Sequence, residues 1–93
     1  MRTIRYTNRF KRDYRREKAG RHGQRLDQEL QAALALLVND SPLPQRYFDH
    51  PLMGEWKDFR DCHIRPDLIL IYRKPDDTAL ELVRLGSHSE LGF

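Results

Sequence analysis

The sequence predicts an α+β fold of order β-α-α-β-β-β, a largely antiparallel four-stranded sheet with two helices packed on one face. Three observations carry this reading. Apolar residues recur at helical spacing only in the first half, which ends at Ser41-Pro42-Leu43-Pro44. The second half holds segments of strand length bounded by proline, glycine and acidic turns. A chain of 93 residues supports one domain, 1–93, and buries too little surface for two.

The first element, Arg2 to Tyr6, is β-branched and aromatic and reads as a short strand. Thr7 or Asn8 then offers a side-chain oxygen to the free N–H groups of a helix start. Phe10 and Tyr14 lie four apart on one face of that helix, a narrow stripe that predicts light docking. Arg9, Lys11, Arg12, Arg15 and Arg16 cover the rest and leave a free basic face. Gly20 and Gly23 punctuate the chain before a stronger helix, in which Leu26, Leu30, Ala33, Leu34 and Leu37 form one stripe. Proline ends it near Asn39. Glu55 to Ile64, between the breakers Gly54 and Pro66, is expected as a strand. Trp56, Asp58, Arg60, Cys62 and Ile64 would share one face, with Lys57, Phe59, Asp61 and His63 on the other. Leu68 to Tyr72 is uniformly apolar, as in a strand covered on both sides. Pro75-Asp76-Asp77 turns the chain into Thr78 to Leu85, which alternates. Beyond Gly86 no periodicity is visible.

Charge is distributed unevenly. Residues 1–25 carry ten Lys and Arg against two acids, a net of +8, whereas residues 26–93 carry seven against twelve, a net of −5. Such clustering is the footprint of a polyanion binder, usually of nucleic acid. The single cysteine, Cys62, closes no internal disulfide. The N-terminus has no apolar signal core, and the longest apolar run, Ala32 to Val38, is far short of the ~20 residues of a membrane span. A cytoplasmic protein with no membrane partner is expected.

Chemistry concentrates at element ends. His50 precedes Pro51, His63 lies at the end of a strand, and His88 follows the last strand after Gly86-Ser87. Antiparallel connectivity returns His88 to the sheet end that holds His63 and Asp67. The same connectivity leaves His50 open, nearer the opposite end unless its loop folds back. His22, between the helices, reads as a surface residue. Histidines with an acid suit proton transfer, and RNA brings its own nucleophile, the 2′-OH, so a base, an acid and positive charge suffice. They also suit a divalent metal, or simple solvation. Against a metal, no pair has the helical i, i+4 spacing, and Cys62 points away from the His63 face. Trp56 reads as a packing residue, and Phe93, at the chain end, as a candidate for stacking on a base.

The stretch Tyr47 to Tyr72, YFDHPLMGEWKDFRDCHIRPDLILIY, followed by Gly86-Ser87-His88, resembles the YafQ toxins of the RelE/ParE superfamily of type II toxin–antitoxin systems. The resemblance spans nearly the whole chain and implies a RelE-like fold. It implies a ribosome-dependent endoribonuclease that cuts mRNA in the decoding site without metal or cofactor. It also implies contacts with ribosomal RNA and a cognate antitoxin, with operator DNA reached only through the toxin–antitoxin complex. On this basis His50, His63, Asp67 and His88 form the catalytic set, and His50 joins it by resemblance alone. His88 is then the general acid, Asp67 or His50 the base, and His63 the residue that orients or stabilises the phosphate, with the roles of base and orienter exchangeable. Arg60 and Arg65 flank the cleft as further RNA-binding candidates. The family's terminal aromatic follows its histidine by four residues, whereas Phe93 follows His88 by five. Two competing readings are a gyrase inhibitor of the ParE branch and a module that binds nucleic acid through the basic helix alone. The first leaves the histidine set without a use, and the second would show no cleavage under any condition.

Overall fold

Thr7 opens the first helix as expected: its backbone is extended and its Oγ1 accepts from the N–H of Phe10 at 3.0 Å. In the computed structural model, which describes residues 1–92, the chain runs β1 (Thr3–Tyr6), α1 (Asn8–Lys18), α2 (Gly23–Val38), β2 (His50–Pro51), β3 (Arg60–Arg65), β4 (Leu68–Arg73), β5 (Ala79–Gly86) and α3 (His88–Leu91). The sheet order is β1-β5-β4-β3-β2. β1 pairs with β5 in parallel, and the remaining pairs are antiparallel. Phe93 lies outside the described residues, so its proposed stacking has no structural account.

The two helices share one face, as the sequence predicts. Phe10, Leu26, Leu30, Ala33, Leu34 and Leu37 meet Cys62, Ile64, Leu70, Leu80 and Leu82 in the main core. A smaller cluster centres on Ile69 and Ile71, with Leu52, Trp56, Phe59 and Leu91 around them. These adjoining residues belong to two clusters because a strand turns alternate side chains to opposite faces, so β4 is covered on both sides. Gly23 is required where α2 starts, since a Cβ there would lie 2.0 Å from the carbonyl oxygen of Lys18.

Four expectations need correction. The sheet has five strands rather than four: His50–Pro51 adds a short edge beside β3, where Pro51 forfeits no central ladder bond. The strand predicted from Glu55 begins only at Arg60, because Gly54, at φ +67°, leads into a 3-10 turn over Gly54–Trp56. Trp56 and Phe59 then fold into the same cluster with ring centroids 5.1 Å apart, so the predicted alternation fails before Arg60. The tail forms α3, capped by a reciprocal pair in which Ser87 accepts from the N–H of Glu90 and Glu90 from that of Ser87. Lastly, α1 is not lightly docked: Asp13, 3% exposed, accepts from Arg16, Arg84 and the backbone N–H of Leu85.

Candidate active site

The loop before β2 folds back and brings His50 opposite Asp61 in the β2–β3 register. This settles the position that connectivity left open. Asp49 pins that loop from inside: it accepts from the Tyr72 hydroxyl at 2.5 Å and from two nitrogens of Arg60 at 3.2 Å each. Asp49 keeps its neighbours Phe48 and His50 in place while remaining partly buried itself.

His63 follows Asp61 by two residues on β3, and therefore on the same face. Across the sheet His63 pairs with Ile69, and Ile69 with Gly86, two residues before His88. The first turn of α3 then carries His88 back over the sheet end, with its ring centroid 5.8 Å from that of His63 and nearly edge-on. His50, His63 and His88 all act on the charge of Asp61, which is 4% exposed. Burial pushes the Asp61 carboxyl above its ordinary range, and the three histidines pull against that shift.

The hydrogen bonding of His50 fixes its tautomer. Nδ1 lies 2.7 Å from the Phe48 carbonyl oxygen, which can only accept, so Nδ1 carries the proton. Oδ1 of Asp61 is 3.1 Å from the same nitrogen but off the N–H direction, and that buried oxygen makes no hydrogen bond among the described residues. Both groups near Nδ1 are acceptors, so neutral His50 presents an unprotonated Nε2 from an exposed side chain.

Asp67 sits at the same sheet end but turns elsewhere. Its carboxylate meets Arg21 and lies 3.2 Å from His22 Nε2. Burial pulls the Asp67 carboxyl upward, but His22 and Arg21 outweigh it and hold the group below the usual carboxylate range. His22, expected at the surface, is only 13% exposed in its side chain. Histidine and carboxylate thus form two groups: three histidines around Asp61, and Asp67 with the turn between the helices. Among the described residues, no three His, Cys, Asp or Glu side chains stand in metal-binding geometry.

The arginine candidates also separate. Arg9, Lys11, Arg12 and Arg15 are exposed along α1. Arg16 is tied to Asp13, Glu17 and Glu90, Arg60 to Asp49, and Arg65 to Glu29. Sequence reasoning missed Asp61 and the Arg21–His22 pair. The signal for Asp61 was present, since strand alternation sets it on the face of His63. No spacing linked Arg21 or His22 to Asp67, 46 and 45 residues away.

A five-stranded mixed sheet with two helices on one face is consistent with the fold of RelE-like toxins. Residues 2–92 match the model of the bacterial toxin of type II toxin–antitoxin systems, YafQ, and the chain belongs to that family. The mRNA interferase toxin YafQ of Escherichia coli strain B (BL21-DE3) is 41% identical over 92 residues, 98% of this chain and 96% of that protein. The crystal structure of YafQ from the same strain superposes with a TM-score of 0.84 at 38% identity, covering 98% of both chains. YafQ in the E. coli DinJ–YafQ complex superposes with a TM-score of 0.79 at 36% identity, again over 98% of each chain.

Proposed function

We propose that this toxin is an endoribonuclease that cleaves mRNA on the ribosome by metal-independent general acid–base catalysis and so blocks translation. The observation that carries the proposal is the gathering of His50, His63 and His88 around the buried Asp61, with His50 Nδ1 held by the Phe48 carbonyl. His50 Nε2 takes the proton of the 2′-OH, the 2′-oxygen bonds to phosphorus, and the P–O5′ bond breaks. His88 protonates the departing 5′-oxygen, giving a 2′,3′-cyclic phosphate and a 5′-hydroxyl. No water, metal or electron is consumed. His63, between them, donates to the phosphate, and Asp61 stabilises the imidazolium as it forms. Asp67 acts as a positioning residue, holding Arg21 and His22 at the sheet end that also carries the histidines.

The name mRNA interferase carried by the E. coli relative supports this reading. In the proposal the exposed basic face of α1 (Arg9, Lys11, Arg12, Arg15) grips ribosomal RNA, while Arg16, Arg60 and Arg65 contribute less because carboxylates already hold them. In this reading a DinJ-like antitoxin is the protein partner, as the E. coli DinJ–YafQ complex suggests, and operator DNA is met only through such a complex.

The test is cleavage of a defined mRNA on purified ribosomes at constant free Mg²⁺, by wild type, His50→Ala and His88→Ala, each toxin stripped of bound metal with EDTA and dialysed before addition. Stripped and unstripped wild type should cut equally and leave cyclic phosphate ends, and each variant should lose about 10²–10⁴-fold in rate. Loss of cutting by the stripped toxin that added transition metal restores, or variants as fast as wild type, would refute the mechanism.

A further inference from the structure

We propose that Phe48 is a stacking platform for a nucleobase next to the scissile bond. This inference rests on the ribonuclease reading above. Phe48 is 64% exposed, one of the few large apolar side chains that the fold leaves in water. It packs in neither core, and its backbone is in the left-handed region, φ 47° and ψ 40°, which favours glycine or asparagine. Neither packing nor backbone preference accounts for phenylalanine here, which leaves its ring.

The ring is held at the cleft. Its centroid is 5.6 Å from that of His63, inclined at 57°. The backbone is fixed on both sides: the Phe48 N–H donates to the Gln45 carbonyl at 3.0 Å, and the Phe48 carbonyl accepts from His50. Asp49, next in the chain, is anchored to Tyr72 and Arg60. One residue thus orients the proposed base through its carbonyl and offers an aromatic face beside the proposed phosphate ligand. A groove of about 670 Å³ runs from His63 past Arg25, Arg46 and Arg65, with Glu29, the partner of Arg65, as the one acidic side chain among its described residues. An aromatic face beside a basic groove is how single-stranded nucleic acid is held: bases stack and phosphates follow the cations. A base on Phe48 sets its phosphate toward His63 and the strand toward the groove.

The experiment compares wild type, Phe48→Asn and Phe48→Trp on ribosomes programmed with an mRNA bearing 2-aminopurine in the decoding-site codon. Asparagine accepts the left-handed backbone and removes the ring, so thermal melting should show Phe48→Asn folded and at least as stable as wild type. Loss of stacking should lower kcat/KM by about 5- to 150-fold and abolish the toxin-dependent quenching of 2-aminopurine. Phe48→Trp should keep both. Wild-type rate and quenching in a folded Phe48→Asn would overturn the inference while leaving the ribonuclease reading intact. Failure of wild type to cut at all would overturn both.

Discussion

Replacing Asp13 by alanine should destabilise the toxin more than any other change on α1. The carboxylate accepts from Arg84 Nε at 2.7 Å, Arg84 Nη2 at 3.3 Å, Arg16 Nη1 at 2.9 Å and the Leu85 N–H at 3.0 Å. Removing it leaves the Leu85 amide, on buried backbone, without that acceptor, and Arg84, 18% exposed, without its partner. Breaking a buried pair from one side costs about 3–5 kcal/mol. A chain this size has roughly 5–14 kcal/mol in total. At about 4–8 °C per kcal/mol the melting temperature should fall by at least ~12 °C. Asp13→Asn keeps an oxygen for Leu85 and should lose about half as much. Burial pushes the Asp13 carboxyl up, but its bonds to Arg84 and Leu85 prevail and lower it below 3.8 in the fold. Its stabilisation is therefore present above the unfolded value and lost as pH falls through the folded one. Asp13→Asn should accordingly flatten the acid limb of a stability–pH curve below about pH 4. Urea unfolding followed by circular dichroism measures both effects. A loss under ~1 kcal/mol for Asp13→Ala, or an unchanged acid limb for Asp13→Asn, would refute the clasp.

Ser87→Ala removes one half of the cap on α3 and should cost about 0.5–2 kcal/mol locally. Because α3 carries His88, the cleavage rate should drop more than the global stability does, as paired kinetics and melts would register. Asp67→Asn should raise KM while sparing kcat relative to His88→Ala, since its partners are Arg21 and His22; a collapse of kcat alone would instead make Asp67 a proton carrier. Burial pushes the Cys62 thiol well above its ordinary value, so it should resist a thiol reagent in the native state and react only on unfolding.

What the sequence made legible follows the range of each physical signal. Helical and strand periods are local, so α1, α2, β4 and β5 were readable to within a few residues, and antiparallel connectivity joined His63 to His88. Two local signals went unused: Ser87 and Glu90 stand at capping-box spacing, and Asp61 shares the face of His63 by simple alternation. Other features were beyond local reach. The return of His50 depends on Asp49 finding Tyr72, 23 residues on. The bond from the Leu85 N–H to Asp13 spans 72 residues, and an acid on a basic helix carries no mark of burial.

Asp61 brings stability and function into opposition, with a consequence opposite in sign to that of Asp13. Its carboxylate is buried, and Oδ1 has no hydrogen bond among the described residues, a defect worth about 1–3 kcal/mol. Burial raises its folded pKa above 3.8, so the ionised group costs stability at neutral pH, and that cost is relieved as pH falls through the folded value. The neutral Asp61→Asn should therefore fold as well as wild type or better, and lose the dependence. The same charge stands beside His50, which becomes cationic when it takes the 2′-OH proton, and beside His63 and His88, and taking it away should slow cleavage by tenfold or more. Strain and desolvation kept at a working site are expected where function opposes stability. Equilibrium unfolding and ribosome-dependent cleavage on the one variant separate the two effects. If Asp61→Asn lost stability and kept its rate, Asp61 would be a structural group like Asp13, and the three histidines would work without a common counter-charge.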